Sequence, residues 1–435
     1  AGQSLSAPLR TSALWQLVYT LSGTGAELAI LLVFAALRSP QEFGALALAL
    51  STSKVVFLLF EPRIHEFLTP KLARYLDRNN HGVWVWTKLA RRTELTLNLI
   101  ALAVCMTLAV VLPLVSDVVG GLLLLACALY TGANTLLKFS SLSIYRCLGE
   151  VRTAALHSVT VGALKLAVFG SCLHSGASAE SLMILLAIPT VLVAANQARV
   201  ASRSLARRAG APLPRPLTKL RPANRRKQLK LALSNYATGL VEIGHRELDM
   251  QIAGWLAGPA EAGRYRLAKT LAMCLLEALN PVVLVLLPDL ARRVAQRDPA
   301  SLATFLRRIS AALAAIGLIA GLAVLGASAI YLQVLAPTFG AAWLPLLVLL
   351  AGFVLLAPTL WTQAYLVAVG KPDTYLRASL VGATVGLGLA ALSVGRWGAV
   401  GSAFAHCVGL AVSNVLALAA SVDHWRESRI RSNAT

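Results

Sequence analysis

The sequence predicts an all-α polytopic membrane protein with about twelve transmembrane helices, arranged as two parallel six-helix repeats. Of its 435 residues, 57% are hydrophobic and only 14% are charged, and the mean hydropathy is +0.69. A soluble domain carries about 25% charged residues, so most of this surface must face lipid. A motif near the start of the chain returns in the second half, which predicts the repeat.

Each predicted helix is an apolar stretch of about 20 residues, the length that crosses the hydrocarbon core of a bilayer. Short loops containing glycine, proline or charged residues separate these stretches. In chain order the predicted spans cover residues 12–37, 41–60, 92–115, 118–143, 153–173, 179–200, 231–256, 262–287, 307–335, 340–369, 375–395 and 398–421.

The repeat is visible where LRSPQEFGALALA, around Pro40, returns as LAGPAEAGRYRLA, around Pro259. Pro40, Glu42 and Gly44 align with Pro259, Glu261 and Gly263, 219 positions later. Each copy is followed by an apolar segment that a second proline, Pro62 or Pro281, is predicted to break. Because each half has an even number of spans, both halves enter the membrane in the same direction, a transporter architecture with its substrate path between the halves.

The charge distribution predicts the orientation of the chain. The net charge is +21, and the lysines and arginines concentrate in alternate loops, as the positive-inside rule describes, so they do not indicate nucleic-acid binding. Both termini and a basic linker, 201–230, are therefore predicted to be cytoplasmic. The linker joins a six-helix bundle at 1–200 to another at 231–421, and a cytoplasmic tail covers 422–435.

Charged residues inside the predicted spans are the candidates for chemistry. Each costs about 2.5–3.5 kcal/mol to insert, so it normally faces a cavity or an opposite charge. On the seventh and eighth spans polar residues recur every three or four positions, which places them on one helix face. The stripe on the seventh span comprises Asn235, Gly239, Glu242, Arg246 and Asp249, and that on the eighth comprises Arg266, Lys269, Thr270, Met273, Glu277 and Asn280.

The first half contributes Glu27 on the first span, Lys54 on the second and Lys165 on the fifth. Lys54 and Glu61 are seven residues apart and are predicted to share a helix face. Glu27 aligns through the repeat with Arg246, so the halves carry opposite charges at the same depth. The first, second, seventh and eighth spans are therefore predicted to line one cavity.

Structural roles stay open as alternatives for several of these charges. Glu242 and Arg246 are four residues apart and could neutralise each other on one helix. Arg264 and Arg266 lie near the outer boundary of their span, and Lys138 lies near a cytoplasmic end. Their long side chains could reach the membrane interface without serving a cavity.

Absent motifs exclude several functions. The phosphate loop G-x-x-x-x-G-K-[ST] is missing, so the chain is not expected to hydrolyse a nucleotide. The histidines and cysteines show no H-x-x-x-H or C-x-x-C spacing, so no metal or other cofactor is expected. The outward loops are too short for a catalytic domain. The sequence thus predicts a transporter and not an enzyme.

Without a nucleotide site, directed transport must draw on a gradient of H⁺ or Na⁺ or on removal of the product. A carboxyl group buried among apolar helices can exchange a proton, because burial disfavours its charged form. Glu27 is the first candidate, since no basic residue lies three or four positions away on its own helix. The further candidates for ion coupling are Asp249, Glu277 and Glu242.

Three segments together resemble a known family. They are SPQEFGALALAL, LAGPAEAGRYRLAKTLA with ALNPVVLVLLPDLARRVAQRD, and GAAWLPLLVLLAGFVLLAPTLWTQAYLVAVGKPDT. They are similar to bacterial polysaccharide (O-antigen, Wzx-like) flippases of the multidrug/oligosaccharidyl-lipid/polysaccharide (MOP) exporter superfamily. The resemblance implies two six-helix bundles, like those of the MATE transporters, that form a V around a cavity opening alternately to each side of the membrane.

The resemblance also implies a cargo, an undecaprenyl-pyrophosphate-linked oligosaccharide that is flipped across the bacterial inner membrane. Cations in the cavity would suit its pyrophosphate, and the candidates are Lys54, Lys165, Arg246, Lys269 and Arg266. The polysaccharide polymerase and export machinery are the candidate protein partners. Two other functions stay open, an ion-coupled multidrug antiporter and a membrane enzyme of polysaccharide assembly.

Overall fold

The structure is a computed structural model that describes residues 7–61, 68–69, 71–72, 75–76, 80–115, 118–209, 236, 247–296 and 299–433. These residues form helices joined by short turns and contain no strand. The α-helices are α1 (Ala7–Leu37), α2 (Pro40–Leu59), α3 (Asn80–Val115), α4 (Gly121–Thr135), α5 (Lys138–Leu148), α6 (Val151–His174), α7 (Ala179–Ala209), α8 (Asp249–Ala257), α9 (Pro259–Gln296), α10 (Pro299–Ile330), α11 (Trp343–Leu356), α12 (Trp361–Ala368) and α13 (Pro372–Asn433). A π-helical turn at Tyr331–Leu335 and 3₁₀ turns at Pro337–Ala342 and Ala357–Thr359 connect α10, α11 and α12.

The predicted all-α polytopic fold class is confirmed. In the part of the chain that the structure describes, nine helical segments are long and apolar enough to cross a membrane. Ten of the twelve predicted spans correspond to these nine, because the eleventh and twelfth both lie within Asp373–Trp425. The eighth lies within α9, and of the seventh, 231–256, only residues 236 and 247–256 are described.

Two predictions about helix ends are wrong. Helix α9 continues through Pro281 as far as Gln296, so this proline does not break the segment; Pro62 lies outside the described residues. Helix α2 ends at Leu59, so Glu61 follows the helix and does not share a helix face with Lys54. The Glu61 backbone N–H donates instead to the Leu58 carbonyl oxygen over 3.2 Å, closing a turn.

The chain divides into two compact units, which we call unit 1 (residues 1–33 and 52–240) and unit 2 (residues 34–51 and 241–435). In unit 1, α4 packs against α3 and α7, while α7 also packs against α5 and α6. One apolar cluster of unit 1 joins α2, α3 and α4 through Phe57, Ala101, Cys105 and Ala128. Residues 201–209, the start of the predicted linker, form the last turns of α7, and the rest of that linker lies outside the described residues.

Unit 1 also contains a helix break within the predicted fourth span. Helix α4 ends at Thr135 and α5 begins at Lys138, because Leu137 adopts a left-handed conformation with φ of 51°. The Glu94 carboxylate of α3 accepts hydrogen bonds from the backbone N–H groups of Phe139 (2.9 Å) and Ser140 (3.3 Å). This carboxylate therefore caps α5 at the point where its N–H groups lack partners within the helix.

In unit 2, α13 packs against α8, α9, α11 and α12. Helix α13 consists of two helices joined at Gly398, whose φ is 53°, a conformation that favours glycine. The Glu261 carboxylate of α9 accepts a hydrogen bond from the Ala399 backbone N–H over 2.9 Å and so caps the second of these helices. The boundary matches the predicted end of the eleventh span at 395 and start of the twelfth at 398.

Candidate functional site

A buried polar cluster in unit 1, which we call the Lys165 cluster, joins α1, α4 and α6. Lys165 Nζ lies 2.7 Å from Asn134 Oδ1, 3.1 Å from Tyr130 Oη and 3.2 Å from Glu27 Oε1. The Tyr130 hydroxyl donates to the same Glu27 oxygen over 3.2 Å, which leaves the Tyr130 oxygen to accept from Lys165. An ammonium group has three N–H donors and no acceptor, so these three oxygens satisfy it completely.

Local helix geometry positions these groups. Tyr130 and Asn134 are four residues apart on α4 and therefore lie on one face of it. The Asn134 amide nitrogen donates to the Tyr130 carbonyl oxygen over 3.1 Å, which turns its Oδ1 toward the ammonium. The Lys165 ammonium also lies 4.9 Å from the centre of the Tyr130 ring, a cation–π distance.

Positive charge exceeds negative charge around this cluster. Lys54 and Lys138 both lie within electrostatic range of Glu27 and of Lys165. Neither forms an ion pair with another described residue, whereas Lys165 is paired with Glu27. Among the described residues, three lysines thus act on one carboxylate, and Lys54 and Lys138, which are not paired with it, supply the excess positive charge.

A second buried cluster, in unit 2, is centred on Asp249 and joins α8, α9 and α13. Asp249 Oδ2 lies 2.7 Å from Lys269 Nζ and 2.9 Å from His406 Nδ1, and it also accepts a hydrogen bond from the Tyr265 hydroxyl. Asp249 Oδ1 accepts from the Met250 backbone N–H over 2.7 Å. All of these side chains are buried, and the His406 and Phe353 rings are in edge-to-face contact, with Phe353 on α11. We call this the Asp249 cluster.

Two further arginines of α9 face carboxylates within unit 2. Arg266 Nη1 lies 3.4 Å from Glu247 Oε2, and both side chains are largely buried. Arg264 is paired with Glu261, three residues earlier on the same helix. The alternative in which Arg264 and Arg266 extend to the membrane interface stays a prediction. Each of the basic residues Lys269, Arg266 and Arg264 therefore lies beside an acidic partner.

The remaining predicted site residues fall into two groups. Lys54 and Glu277 are half-buried, and Glu277 forms no ion pair within the described residues. Glu242 and Arg246, with Asn235 and Gly239 of the same predicted stripe, lie outside the described residues, so their roles stay predictions.

Four polar residues of the two clusters were not among the predicted site residues: Tyr130, Asn134, Tyr265 and His406. The four-residue spacing of Tyr130 and Asn134 on an apolar span was a signal for the first pair. His406 is an ionisable residue inside the predicted twelfth span, and that position alone is a sign of a polar contact. Nothing in the spacing linked these residues to Glu27 or Asp249, because the partners lie on different helices.

A small cleft in unit 1 lies next to the break between α4 and α5. Its polar lining comes from Glu61, Glu94, Asn98 and Thr135, and its apolar lining from Phe57, Phe60, Leu97 and Phe139. The Thr135 hydroxyl donates to Asn98 Oδ1 over 3.0 Å, and Glu94 is engaged by the start of α5. Within the described residues no group of three or more histidine, cysteine, aspartate or glutamate side chains could hold a metal ion.

Comparison with known proteins confirms the predicted resemblance. Residues 213–348 match a family model described as polysaccharide biosynthesis protein. No curated protein matches the chain by sequence. The fold is similar to that of a MATE family multidrug resistance transporter of the MOP superfamily in an inward-facing conformation, with a TM-score of 0.74 and 13% identity over 95% of this chain and 99% of that one.

Two other solved structures of the superfamily share the fold. One is the lipid II flippase MurJ in an inward closed conformation, with a TM-score of 0.70 and 13% identity over 97% of this chain and 91% of that one. The other is a MOP superfamily transporter from Pyrococcus furiosus with a binding pocket of reverse polarity. Its TM-score is 0.68, with 14% identity over 98% of this chain and 96% of that one.

Proposed function

We propose that this chain, a multi-pass membrane protein with the fold of the MOP superfamily transporters, flips a lipid-linked oligosaccharide across the membrane. The expected cargo is an undecaprenyl-pyrophosphate-linked repeat unit of a surface polysaccharide, such as the O-antigen or an exopolysaccharide. The match of residues 213–348 to a polysaccharide biosynthesis family supports this class of cargo, as does the likeness in fold to a lipid II flippase.

The observation that carries the proposal is the excess of positive charge around the Lys165 cluster. Lys54 and Lys138 lie within electrostatic range of Glu27, but Glu27 is already paired with Lys165. Opposite charges attract far more strongly inside a membrane protein than in bulk water, so two such lysines favour an anion. A pyrophosphate is the anion that a polyprenyl-linked sugar carries.

The predicted cations therefore divide into two roles. We assign Lys54 and Lys138 to the anionic headgroup, and Arg246 stays a candidate for the same role. We assign Lys165, Lys269 and Arg266 to holding helices together, because each lies beside a carboxylate of its own unit. The sequence predicted that Lys138 reaches the membrane interface. We include it in the candidate site because it lies within electrostatic range of Glu27.

Coupling to an H⁺ or Na⁺ gradient remains part of the proposal. Glu27 and Asp249 are each engaged by a lysine, so either would have to lose that partner before it could exchange an ion. Glu277 is half-buried and forms no ion pair within the described residues, which makes it the more available candidate. Glu242 stays a candidate at a position outside the described residues.

One observation favours a second function, an ion-coupled multidrug antiporter: the fold matches a multidrug resistance transporter with a TM-score of 0.74. The excess of lysines in unit 1 counts against cationic drugs as cargo. The similar proteins are transporters and flippases, so a membrane enzyme of polysaccharide assembly has no support from them.

We also propose that the protein lies in the bacterial inner membrane with both termini in the cytoplasm. Its two helix bundles are proposed to cover residues 1–200 and 231–421, and its proposed partner is a polysaccharide polymerase or export machinery.

The function can be tested by complementation. A bacterial strain that lacks its own polysaccharide flippase is given this gene together with the glycosyltransferase genes that surround it in its genome. We expect surface polysaccharide to be restored and resistance to cationic dyes to stay unchanged. Dye resistance without restored polysaccharide would support the antiporter instead, and the abundance of the protein in membranes is the control for both results.

A further inference from the structure

The oxygen atoms around Lys165 have the composition of a binding site for a small cation. They come from a carboxylate, a phenol and an amide, and all three accept hydrogen bonds from the ammonium at 2.7–3.2 Å. Oxygen atoms of these kinds are the ligands that hard cations prefer. The Tyr130 hydroxyl hydrogen points to Glu27 and the Asn134 amide nitrogen to a backbone carbonyl, so no hydrogen of these two groups competes for the position of the ammonium.

The side chains of Lys165 and Glu27 differ in exposure. The Lys165 side chain is 4% exposed, whereas that of Glu27 is 39% exposed. The ammonium is therefore held inside the cluster, while the carboxylate is open on one side. Glu27 is thus the member of the pair whose side chain has exposed surface.

The Asp249 cluster of unit 2 provides a contrast with the same residue types. Asp249 Oδ2 meets a lysine and a tyrosine hydroxyl, as Glu27 Oε1 does, but it also lies 2.9 Å from His406 Nδ1, which is a further donor when protonated. A protonated histidine beside the carboxylate neutralises its charge and repels a metal cation. Removing Lys269 would therefore leave Asp249 with a second basic partner, whereas removing Lys165 would leave Glu27 with none within the described residues.

We propose that unit 1 contains a binding site for a monovalent cation, formed by Glu27, Tyr130 and Asn134, and that the ammonium of Lys165 occupies it. Na⁺, Li⁺ or a hydrated proton would bind there when the ammonium is removed. The proposal is independent of the cargo, since it concerns only the atoms around Lys165. It also has a consequence for the coupling of transport to an ion gradient, because an external ion must compete with Lys165 for Glu27.

The test is a gain of ion binding. Lys165→Met removes the ammonium and keeps the length of an apolar side chain. We expect the purified variant to bind radioactive sodium at least about tenfold more tightly than the wild type, and to unfold at a higher temperature in NaCl than in choline chloride. The wild-type protein should show no such difference between the two salts, and Lys269→Met, the matched variant of unit 2, should gain no sodium binding.

Two further variants keep the proposal testable if Lys165→Met does not fold. Lys165→Gln leaves a side chain that can donate a hydrogen bond to Glu27, so it should fold without an ion and still gain sodium binding. Glu27→Gln combined with Lys165→Met removes both charges and should fold without binding sodium. If the double variant folds while Lys165→Gln and any recovered Lys165→Met respond equally to sodium and choline, Lys165 only neutralises Glu27 and the proposal is wrong.

Discussion

Gly44 and Gly263, which the sequence repeat aligns with each other, lie in direct backbone contact within unit 2. A methyl group on Gly44 would overlap the Pro259 carbonyl oxygen, and one on Gly263 would overlap the Pro40 carbonyl oxygen. The contact is reciprocal, so the two copies of the motif pack against each other at a close helix crossing. Small residues allow such close approach of helices in membranes.

This crossing should not tolerate a side chain. We expect Gly44→Ala and Gly263→Ala each to destabilise the protein by about 1–3 kcal/mol, because backbone atoms and not flexible side chains would have to move. Thermal unfolding of the purified protein measures the effect. Gly388→Ala is the control, since a Cβ at this exposed helical position has no neighbour within 4 Å. Equal unfolding temperatures for Gly44→Ala and Gly388→Ala would contradict the crossing.

The cap on α5 gives a second prediction. Glu94→Ala would leave the N–H groups of Phe139 and Ser140 without their carboxylate, at a cost of about 1–2 kcal/mol. Glu94→Gln keeps one acceptor oxygen and should lose less. Glu42→Ala is the matched control, because Glu42 caps α2 through the exposed Ser39 backbone N–H. A larger loss from Glu42→Ala than from Glu94→Ala would show that the break in the fourth span does not depend on Glu94.

The third prediction concerns the free-energy coupling between Asp249 and Lys269, the buried ion pair of the Asp249 cluster. Asp249→Asn should cost about 3–5 kcal/mol, because it removes the carboxylate of a buried ion pair. Lys269→Met should cost less, because His406 Nδ1 stays 2.9 Å from Asp249 Oδ2. The double variant should lose clearly less than the sum, by a coupling energy of about 0.5–3 kcal/mol. Arg264→Met, which breaks a half-exposed pair, should cost no more than about 1 kcal/mol. Additive losses in the unfolding free energy of the double variant would contradict the buried pair.

The spans could be predicted from the sequence because about 20 apolar residues in a row have few alternatives to crossing a membrane. The junction at Gly398 was also predictable, since it separates two apolar stretches at a glycine. The break at Leu137 was not, because a leucine in a left-handed conformation depends on contacts such as the Glu94 cap on the following helix. A hydropathy profile contains no information on the contacts between helices.

The candidate site was harder to predict than the spans for the same reason. Lys165 and Glu27 were both chosen as intramembrane charges, but as separate partners for the cargo and for an ion. The structure places them 3.2 Å apart, although they are separated by 138 positions in the sequence. Helical spacing predicts which residues share a face of one helix, and it contains no information on which faces meet.

The central claim is that Lys54 and Lys138, which form no ion pair within the described residues, attract an anionic headgroup, and transport by purified protein tests it most directly. Proteoliposomes are loaded with a fluorescent polyprenyl-pyrophosphate oligosaccharide, and the initial flipping rate is compared for the wild type, Lys54→Gln with Lys138→Gln, and Lys88→Gln, an exposed lysine of the same unit. We predict that the wild type and Lys88→Gln flip the lipid at similar rates and that the double variant is at least about tenfold slower, equivalent to about 1.4 kcal/mol of lost stabilisation. An unchanged rate in the correctly folded double variant would contradict the central claim.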